Sequence, residues 1–165
     1  MRIRAGFTMI ELLVVLVIAG ILAITAVPSF VSYLQTNRLQ GVTNSLYYSL
    51  QYARTEAIRR NATIYVSFQT GSNWCYGINT SATCNCSVSN SCILGSTSAP
   101  NAGQVTLSAT GLTNNSIHFE PSHGAAGSSS TITFTNPQGI SMGIDIGIMG
   151  NLYVCSSQVA GYNAC

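Results

Sequence analysis

The sequence predicts an α+β protein, a long N-terminal α-helix packed on an antiparallel β head, and three observations predict it. Residues 7–27 (FTMIELLVVLVIAGILAITAV) are apolar apart from Glu11 and two Thr. Apolar side chains then recur at near-helical spacing as far as Ala57. From Thr63 onward the period changes to two.

The first stretch has 21 residues, which at about 1.5 Å each span the roughly 30 Å apolar core of a bilayer. A cleaved secretory signal is the competing reading, because Arg2 and Arg4 resemble its basic start. The apolar run exceeds the roughly 7–15 residues of such a signal, and no small-x-small site follows it before Pro28. Val27, Val31, Leu34, Val42, Leu46, Leu50, Ala53 and Ala57 mark a buried stripe on the next segment, with Gln35, Asn37, Arg38, Gln51 and Arg54 between them. Pro28, which lacks an N–H, should kink the helix. Arg59, Arg60 and Asn61 read as its C-terminal stop.

Seven strands are expected: Thr63–Gln69, Trp74–Ile78, Gln104–Ser108, Ser116–Glu120, Thr131–Thr135, Ile140–Ile148 and Leu152–Cys155. Gly71–Asn73, Asn136–Gly139 and Met149–Asn151 read as turns, and Gly124–Ser130 as a loop tip. The organisation expected is a leader at 1–6, an apolar helix half at 7–28, an amphipathic half at 29–61 and the β head at 62–165.

Charged residues are 6% of the chain and Lys is absent. That excludes an ordinary cytoplasmic enzyme surface and a charge-rich disordered regulator. All six Arg lie at or before residue 60, and residues 61–165 carry a net charge of −2 with His neutral. Such a head offers no broad basic face to nucleic acid.

The six Cys, at 75, 84, 86, 92, 155 and 165, point to an oxidising compartment and disulfides worth roughly 2–4 kcal/mol each. Cys155 and Cys165 are expected to close the C-terminal segment. Cys75, Cys84, Cys86 and Cys92 allow three pairings, of which a Cys84–Cys86 bridge is the least favourable geometrically. A zinc site is the alternative, and the C-x-C spacing opposes it.

Gly6-Phe7-Thr8-Met9-Ile10-Glu11, behind a basic leader and before an apolar run, resembles the type IV prepilin signal. A carboxylate inside a membrane helix costs roughly 2.5–3.5 kcal/mol or more, so Glu11 needs a reason. The resemblance supplies one. It implies cleavage after Gly6 by prepilin peptidase, N-methylation of Phe7, and pairing of Glu11 with the N-terminal amine of a neighbouring subunit. Gly20 and Pro28 also match pilin positions, between which the helix loosens inside the filament. Ser45–Asn61 (SLYYSLQYARTEAIRRN), followed directly by a first strand, resembles the GspH/FimT branch of minor pilins and pseudopilins. Ala53–Ala57 within it also reads simply as a helical face with solvated charges.

Some members of that branch bind DNA during natural transformation, through a G-R-x-R motif in the C-terminal loop. Here the place reads Gly161-Tyr162-Asn163-Ala164-Cys165, with no Arg. Affinity for DNA comes largely from neutralised phosphates, so the departure is serious, and Tyr162 offers only stacking. Arg54, Arg59 and Arg60 are the remaining DNA-contact candidates.

Other chemistry is thin. His118 and Glu120 would share a strand face near His123, but Pro121 intervenes and a strand end with a turn explains them. No phosphate-binding loop or nucleophile elbow is present. The Asn-x-Ser/Thr sequons at Asn61, Asn79, Asn85 and Asn114 are chance matches in so Ser/Thr/Asn-rich a chain.

The reading is a minor pilin of a type IV pilus, without catalysis or cofactor. Its expected partners are other minor pilins, the major pilin, prepilin peptidase and the inner membrane, with the head periplasmic before it joins an extracellular pilus. The alternatives are a minor pseudopilin of a type II secretion system, a DNA-binding pilin, and, from another class, a secreted disulfide-rich binding domain.

Overall fold

The computed structural model describes residues 7–80, 83–99 and 104–165, apart from the side chain of Thr25. It divides into two units, Met1–Gln35 and Thr36–Cys165. One α-helix, α1 (Met9–Arg60), belongs to both and continues through Pro28.

In the first unit α1 is apolar all round. Phe7, Ile10, Leu16, Ile21, Ile24 and Phe30 are all more than half exposed. The helix is long and apolar enough to cross a membrane. A helix with no polar face belongs in lipid or in a bundle of its own kind.

In the second unit the helix is amphipathic. Leu39, Thr43, Leu46, Leu50, Ala53 and Ala57 are fully buried, at alternating spacings of four and three. The stripe therefore begins later than its sequence period suggests, since Val27, Val31 and Leu34 are exposed. It also admits Thr43, whose hydroxyl donates to the Leu39 carbonyl at 2.9 Å. That bond is what lets a polar side chain stay buried.

The helix ends on a left-handed residue. Asn61 has φ 49°. Its N–H donates to Ile58 O at 3.3 Å, and the Ala62 N–H to Ala57 O at 3.2 Å. This pair of bonds is a Schellman motif, with Asn in the place usually taken by Gly.

Eight strands follow: β1 (Ile64–Gln69), β2 (Cys75–Asn79), β3 (Gly95–Ser98), β4 (Thr106–Thr110), β5 (Ser116–Phe119), β6 (Ser130–Thr135), β7 (Ser141–Ile146) and β8 (Leu152–Cys155). They form two four-stranded sheets, β3-β2-β1-β5 and β4-β6-β7-β8, with every strand pair antiparallel. Gly71 and Leu107 join the sheets through reciprocal backbone bonds of 2.8 and 3.1 Å. Ile64, Val66 and Phe68 of β1, Ile132 and Phe134 of β6, and Met142, Ile144 and Ile146 of β7 share one core with the helix stripe. Trp74 sits where the sheets meet. Its ring lies edge-on to Phe134 at 5.0 Å, and its Nε1–H donates to Val105 O at 3.0 Å.

β3 is absent from the sequence expectation. Its residues are Gly-Ser-Thr-Ser and all four are exposed, so no apolar alternation announces it. It pairs only with β2, from Ile78↔Gly95 to Cys75↔Ser98. β4 begins at Thr106 rather than Gln104, because its ladder with β6 runs from Thr106↔Thr135 to Thr110↔Thr131.

The six Cys form the bridges Cys75–Cys86, Cys84–Cys92 and Cys155–Cys165, with Cα atoms 5.7, 5.2 and 4.9 Å apart. The first two interleave along the chain. Two bridges lie over a strand glycine. A Cβ on Gly77 would stand 2.2 Å from Cys92 Sγ, and one on Gly143 3.0 Å from Cys165 Sγ. Gly77→Ala is therefore expected to cost about 1–3 kcal/mol by overpacking. A thermal unfolding curve of the variant should show the loss, and alkylation without reductant should trap free thiol at Cys84 and Cys92. An unchanged midpoint with three intact bridges would contradict the packing.

Candidate assembly and processing site

The N-terminal motif is also a helix start. Thr8 precedes α1, and its Oγ1 accepts the Glu11 N–H at 3.4 Å. Thr8 and Glu11 thus have the spacing of a capping box, with the acid three residues beyond the cap. Glu11 is an acidic residue in the first turn, where the helix dipole favours a negative charge. Phe7 is 77% exposed. Gly6 and the rest of residues 1–6 lie outside the described residues. Gly20 lies within α1, and a Cβ placed on it would meet nothing within 4 Å.

The three arginines near the helix end are held by protein partners. Arg59 Nε and Nη2 donate to the two Glu56 carboxylate oxygens at 2.7 and 2.8 Å. Arg60 Nε donates to Glu56 Oε2 as well. Glu56 is only 6% exposed. The hydrogen bonds from Arg59 and then Arg60 lower its pKa from 4.5 to about 2. The Arg59 pKa is raised by the same contact. Arg54 Nε donates to Gly124 O at 3.1 Å and Nη2 to Met149 O at 3.4 Å, so it braces two loops of the head against the helix. Arg54 and Glu56 are thus engaged with the protein, not the solvated charges that Ala53–Ala57 also suggested. Sequence period places Glu56 beside the stripe, and the i,i+3 and i,i+4 spacing of Arg59 and Arg60 is the local signal that could have found the pairing.

The C-terminal loop is tied down. Cys165 is bonded to Cys155, and Ser156 N donates to Asn163 O at 2.7 Å. Tyr162 packs partly against the core, which reduces the ring surface left for stacking. His118 sits on β5 with its ring 5.6 Å from Tyr65, and Gly127 leaves room for it. Glu120 and His123 are exposed. No cluster of three or more metal-ligating side chains occurs among the described residues.

A helix start bearing one acid, an all-apolar helical unit and a disulfide-bonded two-sheet head define a pilin-like class of protein. Two family models match. The prokaryotic N-terminal methylation motif covers residues 1–27. The model described as type II transport protein GspH covers residues 42–150, more than half of the chain. The chain belongs to the GspH family. Among solved structures it is similar to the type IV minor pilin FimU of Pseudomonas aeruginosa (strain PAO1) in two crystal forms. One matches at 18% identity and TM-score 0.59, covering 81% of this chain and 99% of the solved chain. The other matches at 18% and 0.55, covering 77% and 100%. At that identity the likeness is one of fold, a long helix with antiparallel sheets. No curated protein matches the sequence.

The Glu56 clamp makes head stability depend on acid. The folded pKa, about 2, lies below the ordinary 4.5. Its stabilisation is therefore complete above about pH 4.5 and is lost as pH falls through about 2. The unfolding midpoint of the wild type should drop across this window, and that of Glu56→Gln should drop less. Parallel curves for the two proteins from pH 6 to 2 would rule the clamp out as the source.

Proposed function

We propose that the chain is a minor pilin, a structural and assembly subunit of a type IV pilus. One observation carries the reading: a single carboxylate, Glu11, in the first turn of a helical unit that is otherwise apolar on every side. An unpaired charge in so apolar a setting is expensive, and a neighbour's N-terminal amine offsets the cost. The match to the methylation motif supports processing at Gly6 and Phe7. The FimU fold supports the minor-pilin class.

In this reading residues 1–6 are the leader that prepilin peptidase removes. Residues 7–28 lie in the inner membrane and then in the filament core. Residues 29–61 carry the head, residues 62–165, first in the periplasm and then on the pilus. Other minor pilins and the major pilin are the neighbours. The helix between Gly20 and Pro28 is where it loosens on assembly. No cofactor and no catalytic role belong to this reading. A minor pseudopilin of a type II secretion system is the second reading, favoured by the matched family's description as a type II transport protein.

The test separates processing from assembly. Gly6→Val should keep the six leader residues, so its mass should not fall. Glu11→Leu should be processed normally, yet its recovery in sheared filaments should drop at least about tenfold, as expected when the neighbour's amine is left without its counter-charge. Cleavage of Gly6→Val, or undiminished Glu11→Leu in filaments, would refute the proposal. Normal processing of the wild type with no protein in sheared pili would transfer the reading to the secretion system.

DNA is not a partner in this reading. Residues 29–165 carry a net charge of +1 with His neutral. Arg59 and Arg60 share one carboxylate, and Arg54 is engaged with carbonyls. Even if all three reached phosphates, the salt slope would be about three at most. Duplex DNA should bind with a Kd no tighter than about 10⁻⁴ M at about 150 mM salt. Low-micromolar binding in a gel shift that survives Arg59→Ala with Arg60→Ala would show that the loop around Tyr162 binds DNA without arginine.

A further inference from the structure

A groove of about 410 Å³ runs beside the second half of α1. This lies within the roughly 300–1,000 Å³ of small-molecule sites. Its wall is one helical face, Ser45, Tyr48, Ser49 and Tyr52, at positions i, i+3, i+4 and i+7. Its floor is the β2–β3 ribbon, where Tyr76 pairs with Thr97 and Ile78 with Gly95, and it takes in three consecutive residues of β3, Gly95, Ser96 and Thr97. No charged side chain lines it.

The hydroxyl groups on this face have a determined direction. Ser49 Oγ donates to Ser45 O at 2.9 Å. A serine has one hydroxyl proton, so the Tyr76 hydroxyl, 3.2 Å from Ser49 Oγ, is the donor there. The Tyr76 proton is then used, which leaves Ser45 Oγ, also at 3.2 Å, as the donor to Tyr76. All three protons are spent within the protein. What these three leave for a ligand is oxygen lone pairs, while the hydroxyls of Ser96 and Thr97 and of two exposed phenols, Tyr48 at 69% and Tyr52 at 44%, add donors.

We infer that this groove binds a neutral saccharide. A pyranose presents hydroxyls around its rim, which donate to the serine oxygens and accept from the tyrosine, Ser96 and Thr97 hydroxyls, and an apolar C–H face for the tyrosine rings. An anionic ligand would find no cation here, and a cationic one no carboxylate. Tyr48 is held by an edge-to-face contact with Tyr47, ring centroids 5.6 Å apart, so part of its ordering cost is met before binding. The inference uses the unit Thr36–Cys165 alone and does not depend on which filament or secretion system carries it.

The test uses the full chain in lipid nanodiscs, free of glycoside detergent, titrated with cellobiose, lactose and chitobiose by saturation-transfer NMR. At least one disaccharide should bind saturably in the millimolar range, as a small ligand with few buried contacts does. Tyr48→Ala combined with Tyr52→Ala should weaken it about tenfold or more, because both stacking rings are removed. Tyr153→Ala, an exposed tyrosine on β8 in the other sheet, should leave it unchanged. Thermal midpoints and three intact disulfides verify that the variants are folded. The inference is overturned if none of the three sugars saturates, if the double variant binds as the wild type does, or if a sulfated disaccharide binds tighter than its neutral parent. Saturable binding of an extended neutral peptide, lost in the double variant, with no sugar bound, would make the groove a strand-docking site instead.

Discussion

The stripe from Leu39 to Ala57 is the surface on which the head is built. Each four-stranded sheet has an apolar face that it cannot bury alone, and both faces meet in the core that this stripe completes. The spacing of four and three keeps the buried residues in line along the helix, so one element serves both sheets. The stripe also has to stop where the chain turns into β1. The Schellman bonds at Asn61 and Ala62 do this by using carbonyls that the last turn would otherwise leave unpaired. Just before that cap, Glu56 gathers Arg59 and Arg60, and Arg54 reaches across to the Gly124 and Met149 carbonyls.

The same helix meets two opposite demands. Its first unit has no polar face and one acid, and its second has a polar face and a buried stripe. Low charge elsewhere follows this division. The head holds its structure with packing, a dense hydrogen-bond ladder and three disulfides rather than ion pairs, and both ion pairs of the described residues fall on Glu56. Where a bridge crosses a strand, glycine lies beneath it, as at Gly77 and Gly143. Sulfur takes the volume that a side chain would fill.

This use of charge bears on function. Arginines that neutralise a carboxylate or carbonyls within their own protein have less to offer a polyanion. The C-terminal loop has no arginine and is fastened by Cys155–Cys165. What is left exposed on the head is largely uncharged, Ser, Thr and Tyr hydroxyl among backbone. A surface of that kind recognises neighbours by shape and neutral hydrogen bonds.

The sequence by itself determined the long helix, its change from all-round to one-sided apolarity, the antiparallel character of the head and the family. These features are periodic or local, and a period survives without knowledge of partners. Glu11 was legible because a lone acid in an apolar run is costly wherever the run ends up. Tertiary structure alone decided the rest. β3 has no apolar pattern and exists because β2 offers it an edge. Spacing alone left three pairings of four cysteines open, and the fold of the segment between β2 and β3 chose Cys75–Cys86 and Cys84–Cys92 by bringing their Cα atoms within 5.7 and 5.2 Å. The fate of Arg54 was invisible in the same way, whereas Arg59 and Arg60 meet Glu56 at helical i,i+3 and i,i+4 spacing. The Arg54 charge carries no record in the sequence of the carbonyls that will meet it, and that meeting depends on residues as distant as Met149.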